Sequence, residues 1–410
     1  MSPNTLLLII LGIIILNFLI DTALDILNAS RFRDPIPQNL QDVMDTQEYK
    51  KSQRYKTAVF RFGLLSSTYL TAITILFILF GGFSFIDDLA RDLFDHPILI
   101  GLTFFGLLFI GSDILTLPFS YYRTFIIEAR FGFNKTTKKT FFLDKLKGWA
   151  LMFIMGGGIL ALIIWFYKLT GANFWWYAWI LISLFSIFTG MFYSRLIVPL
   201  FNKQQPLPKG SLRSKIEAYA QQEGFELENI FVIDGSKRST KANAYFSGFG
   251  KEKRVTLYDT LIADLEEEEI VGVLAHEIGH YKKNHIIVTL CLSIINTGLT
   301  LWLLSLLVNS PVLSAALGVE EPSFHVSLVA FALLYGPLAA VTDLLMNYLS
   351  RKFEYQADNY AKITYDRAPL ISGLKKLSRN NLSNLNPHPA YVFVNYSHPP
   401  LSKRLENLDS

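Results

Sequence analysis

The sequence predicts a mainly α-helical membrane protein, a bundle of seven transmembrane helices carrying a small α+β lobe on one side. Two observations lead there. Of the 410 residues 51% are hydrophobic, with 33 Phe and 19 Tyr, too apolar for an ordinary soluble two-domain protein. The apolar residues also gather into runs of roughly 20, the length that crosses a bilayer as a helix.

The runs fall at about 5–24, 62–86, 97–119, 148–168, 174–197, 286–309 and 325–348. An odd number of spans puts the termini on opposite sides. Only Arg91 and Lys168 lie in loops on the N-terminal side, whereas Arg31, Arg33, Lys50, Lys51 and Arg54 fill the first opposite loop. Arg123, Arg130, Lys135, Lys138, Lys139, Lys145 and Lys147 fill the next. Basic loops stay in the cytoplasm, so the N terminus is expected outside and the C terminus inside. Residues 1–5 carry no basic residue and no small-residue cleavage site follows the first run, which reads as an anchor rather than a signal peptide. The net charge of +4 is accounted for by loops facing anionic membrane lipid, and no aromatic-interleaved basic patch points to nucleic acid. Cys291 is the only cysteine and lies in a span, so a metal would have to be held by His and carboxylate.

This divides the chain into spans one to five (1–200), a polar insert (201–285), spans six and seven (286–348) and a second polar part (349–410). The insert opens with Pro206-Leu-Pro208 and a helical pattern from Leu212 to Gln222. The runs Ile230–Ile233 and Arg254–Tyr258 read as short strands flanking Asn243-Ala244-Tyr245-Phe246, and a helix from about Leu261 leads on.

That helix enters Val273-Leu-Ala-His276-Glu277-Ile-Gly-His280, an HExxH motif. Residues four apart share a helix face, so His276 and His280 can offer two imidazole nitrogens to one metal. Glu277, about 100° around the helix from His276, can reach an activated water rather than the metal, the place for a general base. This spells a zinc hydrolase. A third ligand is needed. His285 does not fit the HExxHxxGxxH spacing, since Lys283 and Ile286 stand where Gly and His are required. Of the later glutamates, Glu354 is best placed: it opens Glu354-Tyr-Gln-Ala-Asp358, which sets a second carboxylate one turn on, able to accept the free ring N–H of a ligating His. His280 precedes span six closely and Glu354 follows span seven closely, so the metal is expected at the membrane surface. Asp113, Asp343 and Asn347, costly against lipid, are expected to face an interior cavity or one another.

With these residues in hand, the chain resembles the type I CAAX prenyl endopeptidases, integral-membrane gluzincins with seven spans. The resemblance extends to Ile127-Glu-Ala-Arg-Phe-Gly-Phe-Asn-Lys135, Val198-Pro-Leu-Phe-Asn-Lys203, Asp234-Gly-Ser-Lys-Arg-Ser-Thr, Asn243-Ala-Tyr-Phe and Tyr396-Ser-His-Pro-Pro-Leu-Ser-Lys-Arg404. It implies one Zn2+ held by His276, His280 and Glu354, water activation by Glu277, and spans that enclose an intramembrane chamber. It further implies an edge strand at Asn243, Ala244, Tyr245 and Phe246 that takes an extended substrate by backbone pairing. It makes His398 the oxyanion-stabilising histidine and gives Arg404 a steadying contact with carboxylates such as Asp358. The short stretch 310–324 between spans six and seven fits a prokaryotic member, hence the bacterial inner membrane; a eukaryotic one would sit in the endoplasmic reticulum. Three activities stay open on sequence: a CAAX-type endopeptidase acting on lipidated, membrane-anchored proteins, a membrane quality-control protease without prenyl specificity, and a scaffold or transporter with a structural metal.

Overall fold

A computed structural model describes residues 1–225, 229–248 and 253–410. The first half is helical: α1 (Pro3–Ser30), α2 (Thr46–Leu79), α3 (Gly82–Leu93), α4 (Pro97–Tyr122), α5 (Lys138–Leu151), α6 (Gly157–Thr170), α7 (Phe174–Leu196) and the single turn α8 (Val198–Phe201). The polar insert supplies β1 (Gln204–Pro206), α9 (Ser211–Gln222), β2 (Ile230–Ile233), β3 (Ala244–Ser247), β4 (Arg254–Tyr258), α10 (Asp259–Asp264) and α11 (Glu267–Lys282). The chain closes with α12 (His285–Leu307), α13 (Pro311–Ala316), α14 (Phe324–Thr364), α15 (Arg367–Asn380), α16 (Pro389–Asn395) and α17 (Leu401–Asp409).

Among the described residues, six helical stretches are long and apolar enough to cross a membrane. The longest runs 64 residues from Lys138 to Phe201, which as one rod would reach about 96 Å. It instead doubles back at Gly171–Asn173, where Gly171 has φ 55° and ψ −130°, a conformation open to glycine. Across that turn Tyr167 meets Phe174 and Phe166 meets Tyr177, each pair at 5.6 Å, so α6 and α7 lie side by side. The sequence reading thus stands with its fourth and fifth spans joined in one stretch. Span two ends earlier than expected, at Leu79 rather than near 86, because Gly81 takes φ 70° and starts the separate helix α3.

Span seven departs most from expectation. It does not stop near 348: α14, 41 residues long in all, runs on to Thr364, out of the apolar region and into the lobe, through Glu354 and Asp358. The expected helix from Leu261 is two helices. Leu265 is extended, and Glu266 caps α11 through a box in which Glu269 also accepts from the Glu266 N–H at 2.9 Å.

The lobe is built on a four-stranded sheet of order β1-β2-β4-β3. β2 and β4 run parallel in the centre, with β1 and β3 antiparallel on the edges. β1 contains Pro206, which an edge tolerates. Ile230, Val255 and Leu257 of the sheet bury against Ile270, Leu274 and Ile278 of α11, and Ala361, Leu370 and Leu408 complete the same core. Both polar parts of the chain therefore share one hydrophobic interior. Helix ends on the lobe side of the spans tie the sheet down: Glu128 accepts from Tyr55 Oη at 2.8 Å and from Lys241 Nζ at 3.0 Å, and Asp144 of α5 is gripped by two nitrogens of Arg238.

Of the polar residues in or beside spans, Asp113 pairs with Lys145 (2.5 Å) and Trp149 Nε1 (2.9 Å), and Asn347 donates to the Val394 carbonyl at 2.7 Å. Asp343 is exposed. Asp113 and Asn347 are thus satisfied by local partners rather than by one another.

Candidate metal centre

α11 and α14 come together because of what lies between the two histidines. A Cβ on Gly279 would sit 3.1 Å from Ala357 Cα and 3.0 Å from Tyr360 Cβ, tighter than ordinary contact, so any larger residue would push the two helices apart. Gly272, one side chain short of the backbone of Leu370, does the same against α15. The close crossing aims His276 and His280 of α11 at Glu354 of α14, and one ligand atom from each lies within 4.8 Å of the others.

The distances suit a metal. Ligand atoms about 2.0–2.1 Å from a common centre at tetrahedral angles stand roughly 3.3 Å apart. His276 Nε2 and His280 Nε2 are 3.2 Å apart, His280 Nε2 is 3.2 Å from Glu354 Oε1, and His276 Nε2 is 3.5 Å from Glu354 Oε2. Glu354 Oε2 is buried and takes no hydrogen bond, although Arg404 Nη1 is only 3.5 Å away. Burial and Arg404 disfavour charge on His276, yet the carboxylates of Asp358 and Glu354 outweigh both and raise its pKa to about 9. The local field therefore favours a cation between these groups.

The supports are as ordered as the donors. Asp358, fully buried, accepts from His276 Nδ1 at 2.8 Å and from Arg404 Nε and Nη2 at 2.9 and 2.5 Å. Arg404 thus reaches the carboxylate the sequence reading gave it. His398 is largely exposed; its Nε2 lies 3.3 Å from Glu354 Oε1, and its Nδ1 lies 2.9 Å from Ser397 Oγ.

One supporting residue escaped the sequence reading. His285, weighed there only as a ligand, is buried, with Nδ1 3.0 Å from His280 Nδ1 and Nε2 2.8 Å from Gln356 Oε1. Its ring stacks on Phe353 at 4.2 Å. Asn284, at φ 59°, makes the turn that folds His285 back beside His280. No spacing rule carries that signal, because it depends on a left-handed residue between two helices.

A cavity of about 680 Å3 opens beside the cluster. Glu277, His280, Glu354 and His398 face it from the lobe, Tyr245, Phe246 and Ser247 line it from β3, and Tyr193 of α7 and Leu290 of α12 line it from the spans. β3 is an edge strand. Tyr258 N–H donates to the Asn243 carbonyl at 3.1 Å, and antiparallel ladders alternate, so the backbone of Ala244 and Phe246 faces away from β4. Asn243 itself caps Ala244 N–H through its side chain at 2.9 Å.

A multi-pass helical membrane protein with an HExxH helix crossing a second helix at a glutamate is a membrane-embedded metalloprotease. Comparison with known proteins gives the family: the CAAX prenyl protease N-terminal family, with five membrane helices, matches residues 25–203, and peptidase family M48 matches residues 206–410. The chain belongs to the CAAX prenyl protease 1 family. It is 37% identical to the CAAX prenyl protease 1 homolog of Arabidopsis thaliana over 98% of this chain and 96% of that one. It is 34% identical to CAAX prenyl protease 1 of Saccharomyces cerevisiae over 91% and 88%. The crystal structure of S. mikatae Ste24p superposes with a TM-score of 0.94 at 34% identity, covering 99% of each chain.

Proposed function

We propose that this metalloprotease is a zinc endopeptidase that cleaves near the C terminus of CAAX-type, lipidated proteins at the cytoplasmic membrane surface. The observation that carries the reading is the shared cavity: residues of the edge strand β3 and His280 and Glu354 of the metal cluster line one space that continues between α7 and α12. His276, His280 and Glu354 would hold one zinc ion per chain. A zinc ion there supplies Lewis acidity, lowering the pKa of a water and polarising the scissile carbonyl.

The chain's own groups do the rest. Glu277 takes the proton of the attacking water and delivers it to the leaving amine. His398 Nε2, exposed at the cavity rim, donates to the oxygen that gains charge in the tetrahedral adduct. Asp358 and His285 hold the two imidazoles in the tautomers that leave Nε2 free to ligate. Asn243 to Phe246 pair with an extended substrate through the backbone, so the side-chain sequence matters less than the substrate's reach. The relatives' names favour a substrate bearing a lipid, and the basic loops favour a lobe facing the cytoplasm.

The test is cleavage by purified, zinc-loaded protein of two peptides, one farnesylated with a CAAX end and one extended and unprenylated, with Glu277→Gln as control. Preference for the prenylated peptide with loss of turnover in Glu277→Gln supports the proposal. Equal cleavage of both replaces it with general membrane proteolysis, and turnover that survives in Glu277→Gln overturns the assigned base.

A further inference from the structure

Far along the chain from the metal centre, a second cavity of about 560 Å3 lies where α2 emerges from the apolar region on the lobe side. Arg33, Lys50, Lys51, Arg54, Arg61 and Arg130 line it, and no acidic residue does. The clustering has a helical origin. Lys50, Arg54, Thr57 and Arg61 follow the 3.6-residue period along one face of α2, a stripe of about 16 Å. Arg33 joins from the turn that follows α1, and Arg130 from the end of the helix that continues α4.

These cations keep no acidic partner, in contrast to several basic residues elsewhere in the structure. Lys145, Arg238, Lys241 and Arg404 each meet a carboxylate, whereas among the described residues none of the six makes an ion pair or a hydrogen bond through its side chain. The nearby acids are engaged elsewhere. Glu128 is held by Tyr55 and Lys241, Asp34 accepts from Asn386, and Asp45 and Glu48 form the capping box that starts α2. Six like charges around one concavity repel one another unless an anion enters.

We propose that this cavity binds the phosphate headgroup of an anionic membrane lipid. Position selects a lipid over a soluble anion. Beyond Arg61, α2 carries no Asp, Glu, Lys or Arg as far as Leu79, so the site sits at the boundary between water and hydrocarbon. Its base is apolar: Phe32 and Phe131 are buried, with Ala58 between the cations on α2, which suits a glycerol and acyl region below a headgroup. Basic pockets between spans at such a boundary recognise phosphoinositide-type headgroups. The site is independent of the peptidase chemistry, since no residue of it touches the metal cluster.

The experiment is native mass spectrometry of the full chain from mixed micelles containing equal phosphatidylinositol phosphate and phosphatidylcholine. Wild type should retain the anionic lipid. The fourfold variant Arg33→Gln, Arg54→Gln, Arg61→Gln, Arg130→Gln should lose it by roughly tenfold or more. Neutralising four exposed lysines elsewhere on the same side, Lys135, Lys139, Lys209 and Lys237, should not. A variant that still cleaves peptide and melts as wild type shows that the loss is local. Equal retention of both lipids, or an equal loss on neutralising the four lysines, would overturn the site in favour of diffuse charge. Displacement of the lipid by inorganic phosphate at comparable concentration would overturn the choice of a lipid.

Discussion

Asp358 Oδ1 accepts from His276 Nδ1 at 2.8 Å while Arg404 grips the same carboxylate through two nitrogens. One buried acid thus fixes both the tautomer of a ligating imidazole and the end of α17. Asp358→Asn should weaken zinc affinity by about 10–100-fold and, by leaving buried Arg404 with Glu354 3.5 Å away as its nearest carboxylate, cost about 1–3 kcal/mol of stability. The double variant Asp358→Asn with Arg404→Met should recover most of the stability but not the affinity. Chelator competition and thermal unfolding measured on the same preparations separate the two effects.

His285 should behave as a positioning residue for His280. His285→Phe preserves the stack on Phe353 while removing both nitrogens. Zinc affinity should fall about 10–100-fold, with cleavage restored at saturating zinc. An unchanged affinity would show that His280 is oriented by packing alone.

The outward backbone of Phe246 gives a test of strand pairing. Phe246→Pro deletes an N–H that does not face β4, so the sheet should survive and metal content should not change. Losing one substrate hydrogen bond, at about 0.5–1.5 kcal/mol, should lower kcat/KM by roughly two- to tenfold. Phe246→Leu, which keeps the N–H and most of the packing against Phe225 and Tyr281, should stay near wild type.

Glu269 couples stability to acid. Burial pushes its carboxyl up, but Lys376 Nζ, Ser372 Oγ and the Glu266 N–H outweigh that and hold it below its ordinary 4.5. Folding therefore favours the charged form. The contribution is complete above the unfolded value and disappears as pH falls through the lowered folded value. Glu269→Gln should melt below wild type at neutral pH, by about 1–3 kcal/mol, and the difference should shrink as the pH drops below about 4. A constant gap across that range would show that the charge is not what matters.

Much of this architecture could be read from sequence where the signal was local. The strands Ile230–Ile233 and Arg254–Tyr258 match to the residue, and the helix from Leu212 to Gln222 differs only by Ser211. Each is a short run whose period is set by one sheet face or one core. His276, His280, Glu354 and Asp358 converge because two helical spacings and one glycine meet, and the spacings were visible. What was hidden depended on backbone conformation or distance. Gly81 and Asn284 turn the chain by positive φ, the three-residue β1 is too short to show alternation, and the Lys241–Glu128–Tyr55 cluster joins residues 113 and 186 positions apart. The extension of α14 past its apolar region was missed because hydropathy reports where lipid ends, not where a helix does.

That extension sets the order in which the enzyme comes into being. Glu354 and Asp358 ride on the rod that is itself the final membrane crossing, and Arg404 follows them in the chain. During synthesis the two histidines emerge first and wait without a third donor until that crossing has been threaded. A chain stalled or misinserted before then carries two of the three ligands, so the complete site forms only once that last crossing is in place.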